Sequence, residues 1–207
     1  MNLDSLNKIL ASEPKYRLKQ AKQAVFLDLI SDWNEATVFP LKLREKLNQD
    51  CPLVIKSELS GSVASLTRKA LIILEDNKKI ETVLMRHENG RNTVCVSSQV
   101  GCPLGCTFCA TGQMGFTRNL TSSEIVEQVL FFARYLKAEN LGKITNIVFM
   151  GMGEPFLNYK NVLESIHILN DKEGFNLGMR HISISTIGLP NMLSKLAEDL
   201  PQVNLAI

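Results

Sequence analysis

Cys102, Cys106 and Cys109 fall within eight positions, in the run Cys102-Pro-Leu-Gly-Cys106-Thr-Phe-Cys109. Three thiolates on so short a loop can ligate three irons of a [4Fe–4S] cube, leaving the fourth iron open to another ligand. A structural zinc ion usually takes four closed ligands. His87, the closest histidine upstream, has no spacing reason to join the set. A zinc knuckle stays open as the alternative reading. Gly101, Pro103 and Gly105 mark the segment as loop, which argues against three inert core thiols. The chain has five cysteines. That odd count, with three of them crowded together, is unlike a secreted disulfide framework.

A second candidate is Gly151-Met-Gly-Glu-Pro155. Glycines allow close approach to the backbone, and the Glu154 carboxylate can accept from an ammonium group. Such a turn is weak evidence alone and gains weight from its place in the chain. Both segments follow apolar runs that read as strands: Thr93–Val96 before the cysteines, and Ile144–Met150 before the glycines. Helices are expected over Thr121–Ala138, with Thr121 and Glu124 forming a capping box, over Tyr159–Asn170, and over Asn191–Leu200. Further strands are expected at His181–Ser185 and Val203–Ile207. Repeated βα units imply a parallel sheet or barrel with its site at the carboxyl ends of the strands.

Upstream, Leu71–Leu74 and Thr82–Met85 flank a turn and read as a hairpin. A second turn at Glu88–Gly90 leads into Thr93. Residues 1–55 are helix-forming, with helices expected over Tyr16–Leu27 and Leu41–Leu47. The division expected is a helical domain over 1–55, a connecting β-hairpin over 56–92, and an incomplete barrel over 93–207.

The 207 residues are 45% hydrophobic and 21% charged, which excludes disordered and fibrous classes. A net charge of +2 excludes a uniformly basic nucleic-acid coat and leaves room for a local basic face. Tyr16, Arg17, Lys19 and Lys22 are candidates for a phosphate-facing stripe, or for an ordinary solvated helix face. No apolar run approaches the ~20 residues that span a bilayer, and no secretory signal opens the chain. The expectation is a cytoplasmic protein without membrane association.

The segments Cys95-Val-Ser-Ser-Gln-Val-Gly-Cys102, Cys102 to Cys109, Gly115-Phe-Thr-Arg-Asn-Leu120, Gly151 to Pro155 and Ile184-Ser-Thr-Ile-Gly188 resemble the radical S-adenosylmethionine superfamily. Within it they are similar to the RlmN/Cfr family of adenine carbon-2 or carbon-8 RNA methyltransferases. The resemblance runs from about Glu81 to Ile207 and extends into the N-terminal helices. The central stretch looks more like the carbon-2 branch, which modifies 23S rRNA and, in dual-specificity members, tRNA.

The resemblance implies an α/β fold, a partial (β/α) barrel cut after about four strands. It implies a [4Fe–4S] cluster on Cys102, Cys106 and Cys109, with S-adenosylmethionine as cofactor. Gly153 and Glu154 match positions at the methionine moiety, and Ser185 matches a cofactor-contacting serine. Glu81 matches the family's proton acceptor, although one extra residue separates it from the cluster. Cys95 matches the cysteine that resolves the covalent RNA–enzyme intermediate. The implied partners are 23S rRNA, tRNA and an electron donor such as flavodoxin, acting on a monomer.

Each match has a plainer reading. Glu81 could be an exposed hairpin carboxylate, Cys95 a small apolar strand residue, and Ser185 a hydroxyl bonded to backbone. Arg118 and Asn119 could contact phosphate or cap a helix. Cys51, Met114, Met150 and Met152 read as structural or packing residues. No cysteine follows Cys109, whereas the family carries its methyl group on a cysteine near the C-terminus. The chain also ends inside the fourth strand. The expectation is therefore a shortened chain that does not complete methyl transfer by itself. A non-catalytic, zinc-bearing RNA-binding module is the competing class, separable by metal and sulfide content.

Overall fold

The computed structural model describes residues 3–207. The helical segment comprises α1 (Leu3–Leu10), α2 (Tyr16–Lys22) and α3 (Leu41–Asp50), with a π-helical turn at Gln23–Leu27 and a 3-10 turn at Trp33–Glu35. The single helix expected over Tyr16–Leu27 thus widens at Gln23. Ala24, Val25 and Phe26 are all buried. Three consecutive buried residues do not fit one α-helical face, and the wider turn carries all three into the core. Trp33 is fully buried, and its indole N–H donates to the Cys51 carbonyl at 2.8 Å.

The sheet has seven strands in the order β1-β2-β3-β4-β7-β8-β9. These are β1 (Ser57–Ser60), β2 (Thr67–Ile73), β3 (Lys79–Arg86), β4 (Asn92–Cys95), β7 (Asn146–Phe149), β8 (Ile182–Ser185) and β9 (Asn204–Ala206). A separate ribbon pairs β5 (Gln99–Gly101) with β6 (Phe116–Asn119). Strands β4, β7, β8 and β9 run parallel, as the βα pattern predicts. The expected hairpin is β2–β3, but it gains β1 on one side and pairs antiparallel with β4 on the other. Hairpin and barrel strands therefore form one continuous sheet.

The helices α4 (Ala110–Gln113), α5 (Ser122–Ala138), α6 (Tyr159–Asn170) and α7 (Pro190–Asp199) complete the fold. Thr121 caps α5 with the reciprocal Glu124 bond of a capping box. Burial alternates along β7 and β8. Val94, Ile147, Phe149, Ile182 and Ile184 are buried in one core with Ile125, Val129, Phe132 and Ile166 of α5 and α6. The other face carries Cys95, Val148 and Ser183, which are only half-buried and lie level in register. That core continues through Leu6, Val25, Trp33 and Leu47, so the N-terminal helices share it. Among the described residues, no helix is long and apolar enough to cross a membrane.

Candidate functional site

The carboxyl ends of β4, β7 and β8 open onto the segments that hold the candidate residues. Cys95 ends β4, Gly151–Pro155 follows β7, and Ser185 ends β8. Antiparallel pairing brings β3 alongside, with Val83 opposite Cys95. Glu81 is then level with Ser97, whose hydroxyl donates to the Glu81 carbonyl at 2.6 Å. The Glu81 carboxylate is exposed and ion-paired with Lys69 at 2.9 Å. It is a hairpin carboxylate, as the plainer reading held, but one placed at the mouth of the sheet.

Cys95 is half-buried, and Thr82 donates to its carbonyl at 2.8 Å. Burial pushes the Cys95 thiol above the ordinary cysteine value, only partly offset by a hydrogen bond from the Met150 backbone. A thiol held in this way needs a base, or a substrate that lowers its pKa, before it attacks.

The β5–β6 ribbon, which sequence patterning missed, forms the base of the cysteine loop. Gly101 has φ +76°, and a Cβ there would stand 1.8 Å from the Gly115 carbonyl oxygen. Only glycine permits that crossing. The Cys102 amide donates to Gly115 at 3.0 Å, and the Cys109 amide donates to Cys106 at 3.0 Å. Cys102 is buried, Cys106 and Cys109 are half-exposed, and Phe108 between them is 91% exposed. Among the described residues, no three His, Cys, Asp or Glu side chains converge at the spacing of ligands to a single metal ion. The donor set, three thiols on one loop pinned at its base, has the ligand type and number of a three-cysteine [4Fe–4S] site.

The glycines after β7 prove to be packing requirements. A Cβ on Gly151 would lie 2.7 Å from the Ser97 hydroxyl, and one on Gly153 would lie 2.5 Å from Gln99 Cβ. The chain's own Ser97–Gln99 segment approaches them on the side where a Cβ would stand. Ser97 and Gln99 also hold the loop by hydrogen bonds, from Met152 N to Ser97 Oγ at 2.9 Å and from Glu154 N to Gln99 Oε1 at 2.9 Å. Gln128 of α5 is fully buried and bonds both backbone groups of Ser97, at 2.7 and 2.9 Å. Ser97 and Gln99 lie in a segment the sequence had singled out. Gln128 carried no signal.

Glu154 is 4% exposed. Its carboxylate accepts from Phe156 N at 3.0 Å, Thr186 Oγ1 at 2.6 Å and Ile187 N at 3.2 Å. Three donors are what a buried carboxylate requires. Ser185 is half-buried on the open face, beside β9.

Other candidates are committed to the protein. Arg118 makes two hydrogen bonds to Glu124 and one to Asp76, all 2.8 Å, which raises its already high pKa and leaves it tied to the hairpin turn rather than to phosphate. Asn119 bonds Gln99 and the Leu157 carbonyl. Lys19 and Lys22 pair with Glu173 and Asp171 beyond α6, which draws the supposed phosphate stripe against the barrel. Met152 packs in the core, whereas Met114 and Met150 are exposed, contrary to the packing role expected of them.

A parallel βα sheet with a three-thiol loop after its first parallel strand, and a glycine-rich turn holding a buried carboxylate after the next, defines a radical S-adenosylmethionine fold. The Radical SAM superfamily model matches residues 96–207, and the chain belongs to that superfamily. It is 45% identical over its full length to a Dictyoglomus thermophilum protein named "Probable dual-specificity RNA methyltransferase RlmN", covering 59% of it. It is 43% identical to the Nitrosopumilus maritimus "Ribosomal RNA large subunit methyltransferase N", spanning 93% of this chain and 57% of that protein. The crystal structure of a radical SAM methyltransferase from Sphaerobacter thermophilus superposes with a TM-score of 0.91 at 42% identity, covering 99% of this chain and 61% of that one. The chain thus spans a little over half the length of its curated relatives.

Proposed function

We propose that this chain forms the cofactor-binding part of an RNA methyltransferase that modifies carbon 2 of an adenine in 23S rRNA, and in tRNA. The observation that carries the proposal is the assembly of Glu81, Cys95, the Cys102–Cys109 loop and Glu154 around one sheet mouth, in a chain so similar to relatives of that name.

Cys102, Cys106 and Cys109 would hold a [4Fe–4S] cluster, and Gly153, Glu154 and Ser185 would line the methionine end of S-adenosylmethionine. A cluster and cofactor held there would supply the radical chemistry needed at an aromatic carbon closed to ordinary methyl transfer. The chain's own groups do the rest of what is assigned here. Glu154 offers a carboxylate to the amino group of the cofactor. Glu81 stands at the mouth to take the proton that carbon 2 loses, with Lys69 holding its carboxylate in place. Cys95, on the same face, is assigned as the resolving thiol: it would form an S–S bond with the methyl-carrying cysteine, which the 207 residues do not include, as the C–S bond of the crosslink breaks and the freed carbon takes up a proton. The flipped adenine enters from the open side of the sheet. A flavodoxin-class protein in the cytoplasm is assigned as electron donor, because the exposed Phe108 puts the cysteine loop at the surface.

The test is deletion of the gene in its host, with mass spectrometry of 23S rRNA and tRNA nucleosides. Loss of 2-methyladenosine, restored by the wild-type gene and not by a Cys106→Ala copy, is expected. Unchanged 2-methyladenosine, or loss of the carbon-8 product in its place, overturns the assignment.

A further inference from the structure

The Glu154 carboxylate is not symmetrically occupied. Oε1 accepts two hydrogen bonds, from Thr186 Oγ1 at 2.6 Å and from Phe156 N at 3.0 Å. Oε2 accepts one, from Ile187 N at 3.2 Å. An ionised carboxylate has about two acceptor sites on each oxygen. Oε1 is therefore saturated, and Oε2 retains one free site.

The Thr186 hydroxyl is itself oriented. It accepts from Gly188 N at 3.3 Å, so its single proton is directed at Glu154. Thr186 is 6% exposed and Glu154 is 4% exposed, so water does not compete for the bond. At 2.6 Å it has the length of a charge-assisted bond. Residues 32 apart in sequence are thereby clipped together, joining the turn after β7 to the loop after β8.

We infer that Thr186 is a positioning residue for cofactor binding: it fixes the rotation of the Glu154 carboxylate and occupies Oε1, leaving Oε2 as the oxygen with an acceptor site for the ammonium group of S-adenosylmethionine. The inference rests on the reading above that Glu154 meets the methionine moiety. It adds which oxygen does so, and which side chain sets it. Gly188, at φ +83°, allows the chain to turn back so that its amide reaches Thr186.

The experiment uses the full 207-residue chain, reconstituted anaerobically with iron and sulfide, in wild-type, Thr186→Val, Thr186→Ser and Glu154→Gln forms. Two quantities are read. One is the dissociation constant for S-adenosylmethionine, followed by the change it makes in the electron paramagnetic resonance spectrum of the reduced cluster. The other is hydrogen-exchange protection of the Ile187 amide without cofactor. Thr186→Val keeps the shape and removes the donor, so about tenfold weaker binding and lost Ile187 protection are expected, both restored by Thr186→Ser. Iron content unchanged across the four forms shows that the cluster loop is intact. Wild-type binding together with unaltered Thr186→Val binding overturns the role of Thr186 alone. Failure of the wild-type chain to bind S-adenosylmethionine overturns the cofactor reading, and this role with it.

Discussion

Glu81 and Cys95 share the open face of the sheet, with Cys95 opposite Val83 across the β3–β4 pairing and Glu81 two residues along β3 from Val83. A carboxylate and a thiol come from strands that sequence alone would assign to separate units, and they share a face because hairpin and barrel form one sheet. The side chains differ in setting. Glu81 reaches solvent beside Lys69, whereas Cys95 sits under enough protein to raise its thiol pKa.

That burial predicts slow alkylation of Cys95. Because its pKa is raised, less thiolate is present at neutral pH in the folded chain than in the unfolded one. Iodoacetamide labelling, read by peptide mass spectrometry, should lag behind the same thiol in denaturant. It should keep rising with pH after the denatured thiol has levelled. Equal rates in both states would show that the thiol is not held as described.

Gly153→Ala should be far more damaging than Gly90→Ala. Both positions have positive φ, +97° and +80°, which costs a non-glycine residue about 1–2 kcal/mol. At Gly90 a Cβ meets nothing within 4 Å, while at Gly153 it lands 2.5 Å from Gln99. Urea denaturation should show about 1 kcal/mol lost at Gly90 and at least about 3 kcal/mol lost at Gly153.

Gln128→Glu changes one atom of a fully buried side chain from donor to acceptor. The new oxygen faces the Ser97 carbonyl, where the Gln128 amide now donates at 2.9 Å. A loss of about 2–4 kcal/mol is expected in the same assay. Gln128→Leu should also destabilise the chain, because both backbone groups of Ser97 lose their partner. Stability within 0.5 kcal/mol of wild type for either variant, roughly the limit for surface changes, contradicts the assignment.

The Lys22–Asp171 pair, 2.6 Å apart, links the end of α2 to the turn after α6. Its hydrogen bond from Lys22 holds the Asp171 carboxyl below the ordinary carboxylate value. With the folded pKa depressed, the stabilisation is full above the unfolded carboxylate range and is lost as pH falls through the folded value. Both side chains are about one-third exposed, so screening keeps the pair small, about 0.5 kcal/mol. A double-mutant cycle with Lys22→Met and Asp171→Asn should show that coupling at pH 7 and a smaller one as pH falls below the ordinary carboxylate range.

The candidate residues and the elements that carry them were legible in the sequence because their signals are local. The three cysteines, the Thr121–Glu124 capping box and the alternating strand and helix patterns each lie within a few residues of chain. Backbone periodicity and ligand spacing need no knowledge of distant contacts. The β5–β6 ribbon escaped notice because its strands are three and four residues long and joined by the cysteine loop. Strands that short carry too few alternations to read.

The sequence by itself determined the spacing of the three cysteines, the order of the elements and the parallel core of the sheet. It did so because residue type and short-range spacing decide which thiols share one loop and which segments twist into helix or strand. Only the tertiary structure decided that Gly151 and Gly153 are required by Ser97 and Gln99, that Arg118 is held by Glu124 and Asp76, and that Thr186 orients Glu154. Those relationships join residues tens of positions apart, and they are settled by the packing of one sheet edge against its loops, where burial makes every unpaired polar group costly.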